Sequence, residues 1–153
     1  MCIRDRYLSL KKLDLKDSKI NNYHIKSYKL GIVPKNLNKL KNRLFGIECN
    51  YEAELNGIDF KKGCYVGQEN TARIKLKNKL SKRLFPIEII DGKLNENDAI
   101  FANDSEIGKV LINGDYPFAL IKFLDKNFNK NKIFECKNGS IKVLIPDWLE
   151  IHF

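Results

Sequence analysis

Leu84-Phe85-Pro86-Ile87-Glu88-Ile89-Ile90, closed by Asp91-Gly92, is a β-rich run ending in a turn signal, and the same unit recurs downstream. Further runs at 107–112, 118–124, 133–136 and 141–145 are separated by Asn113-Gly114-Asp115 and Asn138-Gly139. Asn and Gly accept the positive φ that tight turns require, so these dipeptides mark chain reversals. In the last run Ile141, Val143 and Ile145 share one face with Lys142 opposite, the period of a strand buried on one side. Short strands at regular spacing predict a small antiparallel β-barrel or sandwich over residues 79–153. Pro86 has no N–H to give a ladder, which predicts a strand edge or a bulge at that point.

Upstream the character changes. The basic, polar run 75–83 is read as the passage between two domains, with a charged solvent-facing strand the alternative, and residues 7–78 as an α+β region. Ile20, Tyr23, His24, Ser27 and Tyr28 fall on one helical face, and Gly31 and Pro34 supply the stop. Leu37, Leu40, Leu44 and Phe45 repeat at helical spacing and predict a second, shorter helix. His24 falls inside the first helix without an evident partner and reads as a packed or surface histidine. Met1-Cys2-Ile3-Arg4-Asp5-Arg6 reads as the translation of a transposon end used in preparing sequencing libraries. It is set aside as a non-native leader, residues 1–6.

With 43% apolar residues in 153, the chain can build a core. No apolar run approaches the roughly 18–20 residues that cross a bilayer, and no signal-peptide plan opens the sequence. The expectation is a soluble, cytoplasmic protein with no membrane partner. The net charge of +9 attracts anions in general, but lysines occur throughout, aromatic residues do not interleave with a basic stripe, and no RNP motif is present. Of four cysteines, Cys2, Cys49, Cys64 and Cys136, none forms a C-x-x-C pair, and His24 and His152 are the two imidazoles. No structural zinc or other metal site is expected from that set. Reduced thiols in such a compartment are mostly core filler, with Cys64 the exception.

Gly63-Cys64 and Gly67 bracket a tight piece of backbone, and glycines there suit a sharply bent loop. Lys62 lies two residues before the thiol, and Arg73 lies beyond it, four residues after Glu69 in the favourable order for a helical ion pair. Cationic neighbours favour the thiolate, which is both the nucleophile and the metal ligand, so Cys64 is the candidate reactive residue. Gln68 and Glu69 are placed to orient a ligand beside it. Read from the residues alone, a Gly-Cys in a turn is more often a structural bend than a reactive site. The chain contains no P-loop, no G-x-G-x-x-G after a strand and no Ser/His/Asp set.

Lys62-Gly63-Cys64-Tyr65-Val66-Gly67-Gln68-Glu69 resembles the K-G-C-[FY]-x-G-Q-E signature of the YgfZ family, related to the T-protein of the glycine cleavage system. Asn56-Gly57-Ile58-Asp59-Phe60 is similar to the segment leading into that signature. Ile47-Glu48-Cys49-Asn50 resembles the family's P-x-E-x-N stretch without its proline, and Gly31-Ile32-Val33-Pro34 resembles G-[IV]-P with one extra Val. The likeness covers nearly all of Tyr23–Phe153, in the barrel more by pattern than by residues.

The resemblance implies a C-terminal part of a GcvT-like α+β folate-binding domain followed by the barrel. It implies tetrahydrofolate or a derivative as cofactor, with the pocket incomplete in this fragment and Glu48 as a folate-binding residue. It implies a role in maturation or repair of iron–sulfur enzymes, including ones that modify tRNA. Partners would then be iron–sulfur enzymes or assembly proteins, with tRNA a further one. On the same resemblance Cys64 is the catalytic residue, and Lys62, Gly63, Tyr65, Gly67, Gln68 and Glu69 form the signature loop. Two other readings remain open. One is a tetrahydrofolate-dependent aminomethyltransferase in the T-protein manner, which the cysteine signature disfavours. The other is a non-catalytic module whose barrel docks a partner and whose basic surface meets tRNA or an acidic protein.

Overall fold

The structure, a computed structural model, describes residues 20–51, 58 and 80–149. Among them the dominant element is a closed barrel of six antiparallel strands in the order β1-β4-β3-β2-β5-β6. The strands are β1 (Arg83–Gly92), β2 (Ala99–Ala102), β3 (Ser105–Ile112), β4 (Phe118–Ile121), β5 (Ile133–Cys136) and β6 (Gly139–Val143). One helix, α1 (Ile20–Lys29), and a single 3-10 turn, Leu37–Leu40, precede it. The expected barrel is present. The signature residues Lys62, Gly63, Cys64, Tyr65, Gly67, Gln68 and Glu69, and Arg73, lie outside the described residues.

Several boundaries move. The turn expected at Asp91-Gly92 is instead the end of β1, where these residues pair with Ser140 and Gly139 of β6. The two backbones run so close there that a Cβ on Gly92, whose φ is +80°, would lie 2.0 Å from the Asn138 carbonyl oxygen. Strand β2 was not anticipated. Its hairpin to β3 turns through Asn103 and Asp104, both at positive φ (48° and 63°), a two-residue reversal that Asn and Asp tolerate without glycine. The run 118–124 ends as a strand at Ile121, and Ile145 lies past the end of β6, packed against the core. The second helix is only the 3-10 turn. Left-handed Asn36 (φ 62°) and Asn42 (φ 61°) bracket it and prevent extension.

Pro86 corrects the edge-strand expectation, because a closed barrel has no edge. It sits inside β1 at the position where the strand changes partner: Pro86 pairs with Phe118 of β4, and Ile87 with Val143 of β6. A residue without an N–H fits that hand-over. Its carbonyl still accepts from Leu144 N at 2.9 Å, and Ile87 N donates to Pro117 O at 3.1 Å.

The alternating period of the strands fills the barrel with Phe85, Ile87, Ile100, Phe134 and Ile141, all at most 1% exposed. Phe128 stacks parallel to Phe134 with ring centroids 5.6 Å apart. A second core lies on the outer wall. Leu84, Leu111, Ile112 and Phe118 are buried there against Leu40, with Tyr28, Val33, Leu44 and Cys49 packed beside them. This explains why four consecutive residues of β1, Leu84 to Ile87, are buried. The barrel covers one face of the strand and residues 20–51 the other. Each large side chain so covered stabilises the arrangement by about 2 kcal/mol.

Candidate functional site

The candidate residue that the structure does describe, Glu48, lies at the junction of residues 20–51 with the barrel. Its helix-side wall begins with α1, which buries His24 and Ser27. His24 sits edge-on to Tyr23 and Tyr116, each 5.8 Å away by ring centroid, a packed histidine as expected. Tyr28 packs edge-on to Phe118, and its hydroxyl donates to Ile87 O. Burial raises the Tyr28 phenol far above its ordinary range. The helix stops at Gly31, whose φ of +70° favours glycine over most side chains. A Cβ there would also meet Pro146 Cγ at 2.9 Å. The segment after β6 thus returns to the helix end, where Trp148 Nε1 donates to Leu30 O at 3.0 Å.

Glu48, Cys49 and Asn50 complete the junction. Glu48 caps its own turn, its Oε2 accepting from Phe45 N at 2.9 Å. Its other carboxylate oxygen takes no hydrogen bond among the described residues. Asn50 is fully buried and left-handed (φ 66°). Its Nδ2 donates to Leu84 O at 2.9 Å and to Gly31 O at 3.2 Å, while Arg83 Nη1 donates to its Oδ1 at 3.1 Å. Leu84 N donates to Glu48 O at 2.8 Å. Residues 48–50 and 83–84 are therefore bonded directly, and the stretch of chain that carries the signature runs between them.

Both described cysteines are held as thiols. Burial pushes Cys49 up to about 11, with the Glu48 carboxylate adding to the effect. Burial likewise raises Cys136 to about 11, helped by Asp98. Cys136 lines an open cavity of about 510 Å³ with Lys132, Lys137, Asn103 and Asp104. Neither environment makes a nucleophile at neutral pH. No group of three or more His, Cys, Asp or Glu that could hold a metal ion occurs among the described residues.

Arg83, expected in a passage between domains, is instead part of this junction. Arg83 and Asn50 are 33 residues apart, so no local pattern joins them.

No family model matches the chain. Among curated proteins it is 39% identical over 66 residues to the mitochondrial iron–sulfur cluster assembly factor IBA57 homolog of Neurospora crassa, covering 43% of this chain and 15% of that protein. It is 51% identical over 39 residues to the human mitochondrial iron–sulfur cluster assembly factor IBA57, covering 26% and 11%. To the homolog of Chaetomium globosum it is 31% identical over 86 residues, covering 56% and 20%. The chain thus matches a fifth or less of the length of each of these relatives. What it shares sequence with, over that part, is a set of iron–sulfur cluster assembly factors.

Proposed function

We propose that this chain is part of a folate-binding accessory factor in iron–sulfur protein maturation or repair, acting through Cys64. The shared sequence with named assembly factors carries the reading, and the glycine-bracketed cysteine of residues 62–69 supplies its chemistry. Lys62 and Arg73 favour the Cys64 thiolate, a soft ligand suited to holding an iron, a sulfur adduct or a cluster edge. A single thiol cannot supply the four ligands of an ordinary cluster, so the cargo is shared with a partner protein or glutathione. Client enzymes that modify tRNA belong to the same reading.

Tetrahydrofolate or a derivative is the proposed cofactor, with the Glu48 oxygen that has no partner among the described residues accepting from its pterin ring. The hydrogen bonds of Asn50 support a fixed placement of both ends of the stretch that contains Cys64. The relatives are mitochondrial by name, so the proposed compartment is one where clusters are assembled, an organelle matrix or the cytoplasm of a cell without one. No described helix is long and apolar enough to cross a membrane.

The test is complementation. Full-length protein carrying Cys64→Ser should fail to restore iron–sulfur enzyme activity in cells lacking the native protein, although it accumulates to parental levels. Full restoration by that variant refutes the proposal.

A further inference from the structure

We propose that the outward side of residues 20–47 binds the phosphodiester backbone of a nucleic acid. Lysines occur along the whole chain, but the charge does not. With the leader set aside, residues 7–82 hold 17 Lys and Arg against 7 Asp and Glu, and residues 83–153 hold 9 against 11. A compositional taste for lysine acts on both parts alike and does not produce that separation. It is sharpest in residues 18–47, where seven cations occur without a single Asp or Glu.

Of those cations, Lys26, Lys29, Lys35, Lys41 and Arg43 are exposed. Because α1 buries His24 and Ser27, the opposite face presents Asn22, Lys26 and Lys29 to solvent, while Tyr23 is exposed at the flank of the buried face, edge-on to His24. The barrel neutralises part of the segment: Lys39 pairs with Glu96, and Lys35 lies 3.8 Å from Asp115. Lys26, Lys29 and Lys41 have no ion-pair partner among the described residues, and Arg43 bonds only the neutral Asn97. Residues 20–47 therefore carry four cations, Lys26, Lys29, Lys41 and Arg43, that are exposed and have no ion-pair partner among the described residues.

An acidic protein would also be drawn to such charge. Tyr23 decides for nucleic acid: it is 61% exposed and sits one turn from Lys26, a stacking platform beside a phosphate contact. An acidic peptide has no planar base to use it.

The inference is independent of Cys64. Four cations on a single strand predict a logarithmic salt slope of about −2.8, or roughly fiftyfold weaker binding between about 50 and 200 mM salt. The 153-residue chain is titrated into a labelled single-stranded RNA of about 20 nucleotides, followed by fluorescence anisotropy, with circular dichroism confirming the fold of each variant. Lys26→Gln with Lys29→Gln should flatten the slope by about 1.4, whereas Lys130→Gln with Lys142→Gln on the barrel should leave it unchanged. Tyr23→Ala should weaken binding at least about fivefold, and Cys64→Ser should bind as the parent does. No binding at the lowest salt, a parental slope in the α1 double variant, unchanged affinity in Tyr23→Ala, or equal competition by polyglutamate of matched charge each overturns the proposal.

Discussion

Asn50→Ala should cost about 4 kcal/mol, most of it lost at the junction rather than in the barrel. Asn50 is fully buried, and its amide serves two carbonyls, Gly31 O and Leu84 O, and takes one N–H from Arg83. Alanine removes all three hydrogen bonds without admitting water. At about 1 kcal/mol for each group left unsatisfied, that is about 3 kcal/mol. The backbone at φ 66° adds about 1 kcal/mol for alanine, because a β-carbon crowds the following carbonyl in the left-handed region and asparagine relieves this by local bonding.

Asn50→Gly separates the two contributions. Glycine accepts the φ but makes none of the bonds, so it should lose about 3 kcal/mol. Urea unfolding followed by the fluorescence of Trp148, the single tryptophan, reads the junction directly, since its indole N–H is bonded to Leu30 O. Far-UV dichroism reads the barrel, whose interior core is a separate cluster. In both variants the Trp148 transition should move to lower urea, and ahead of the barrel signal. An Asn50→Ala protein within about 1 kcal/mol of the parent, with coincident transitions, refutes the reasoning.

Three further outcomes follow from the same geometry. Cys49 and Cys136, both near 11, should expose only about one thiolate in 3,000 at pH 7.5, against about one in ten for an ordinary thiol. Alkylation mapped by mass spectrometry should therefore label Cys64 first, and a Cys49 that reacts as fast as Cys64 contradicts the assignment. The raised Cys49 also sets a pH window: the fold favours its protonated form, so that contribution is intact below about pH 8.5 and lost as pH rises towards 11. Urea midpoints measured from pH 7 upward should fall above about pH 9, less so in Cys49→Ala, and an identical fall in both proteins removes Cys49 as the cause. Gly92→Ala, with its Cβ 2.0 Å from a backbone oxygen, should cost at least about 3 kcal/mol. Gly46→Ala, whose nearest neighbour is a flexible Ile58 methyl at 3.4 Å, should cost under about 1 kcal/mol by thermal unfolding.

The barrel was legible because period and turn chemistry are local. Ile141 and Val143 point inward and Lys142 outward, as two-residue alternation requires. Strand β2 escaped because Ala99–Ala102 is short and its reversal uses Asn103-Asp104, a weaker signal than Asn-Gly. The misjudged helix had the opposite cause. Leu37, Leu40 and Leu44 keep a helical spacing, yet Asn36 and Asn42 take left-handed conformations that apolar periodicity does not register. Pro86 was read correctly as unable to donate and wrongly as an edge, because only closure shows where a strand changes neighbour.

The junction lies beyond any local reading. Asn50 and Leu84 are 34 residues apart, and bringing together the ends of a loop that long costs about 3 kcal/mol of chain entropy. Glu48 to Leu84, Asn50 to Leu84 and Arg83 to Asn50 supply three hydrogen bonds at about 1 kcal/mol each, so the bonds alone come close to offsetting closure. Burial of Leu84 and Cys49 against the outer wall then tips the balance towards the closed junction. A near-balance of that kind makes each bond matter. It is why a single buried amide, quoted in the sequence only as the last residue of a family stretch, is expected to govern whether residues 20–51 stay on the barrel.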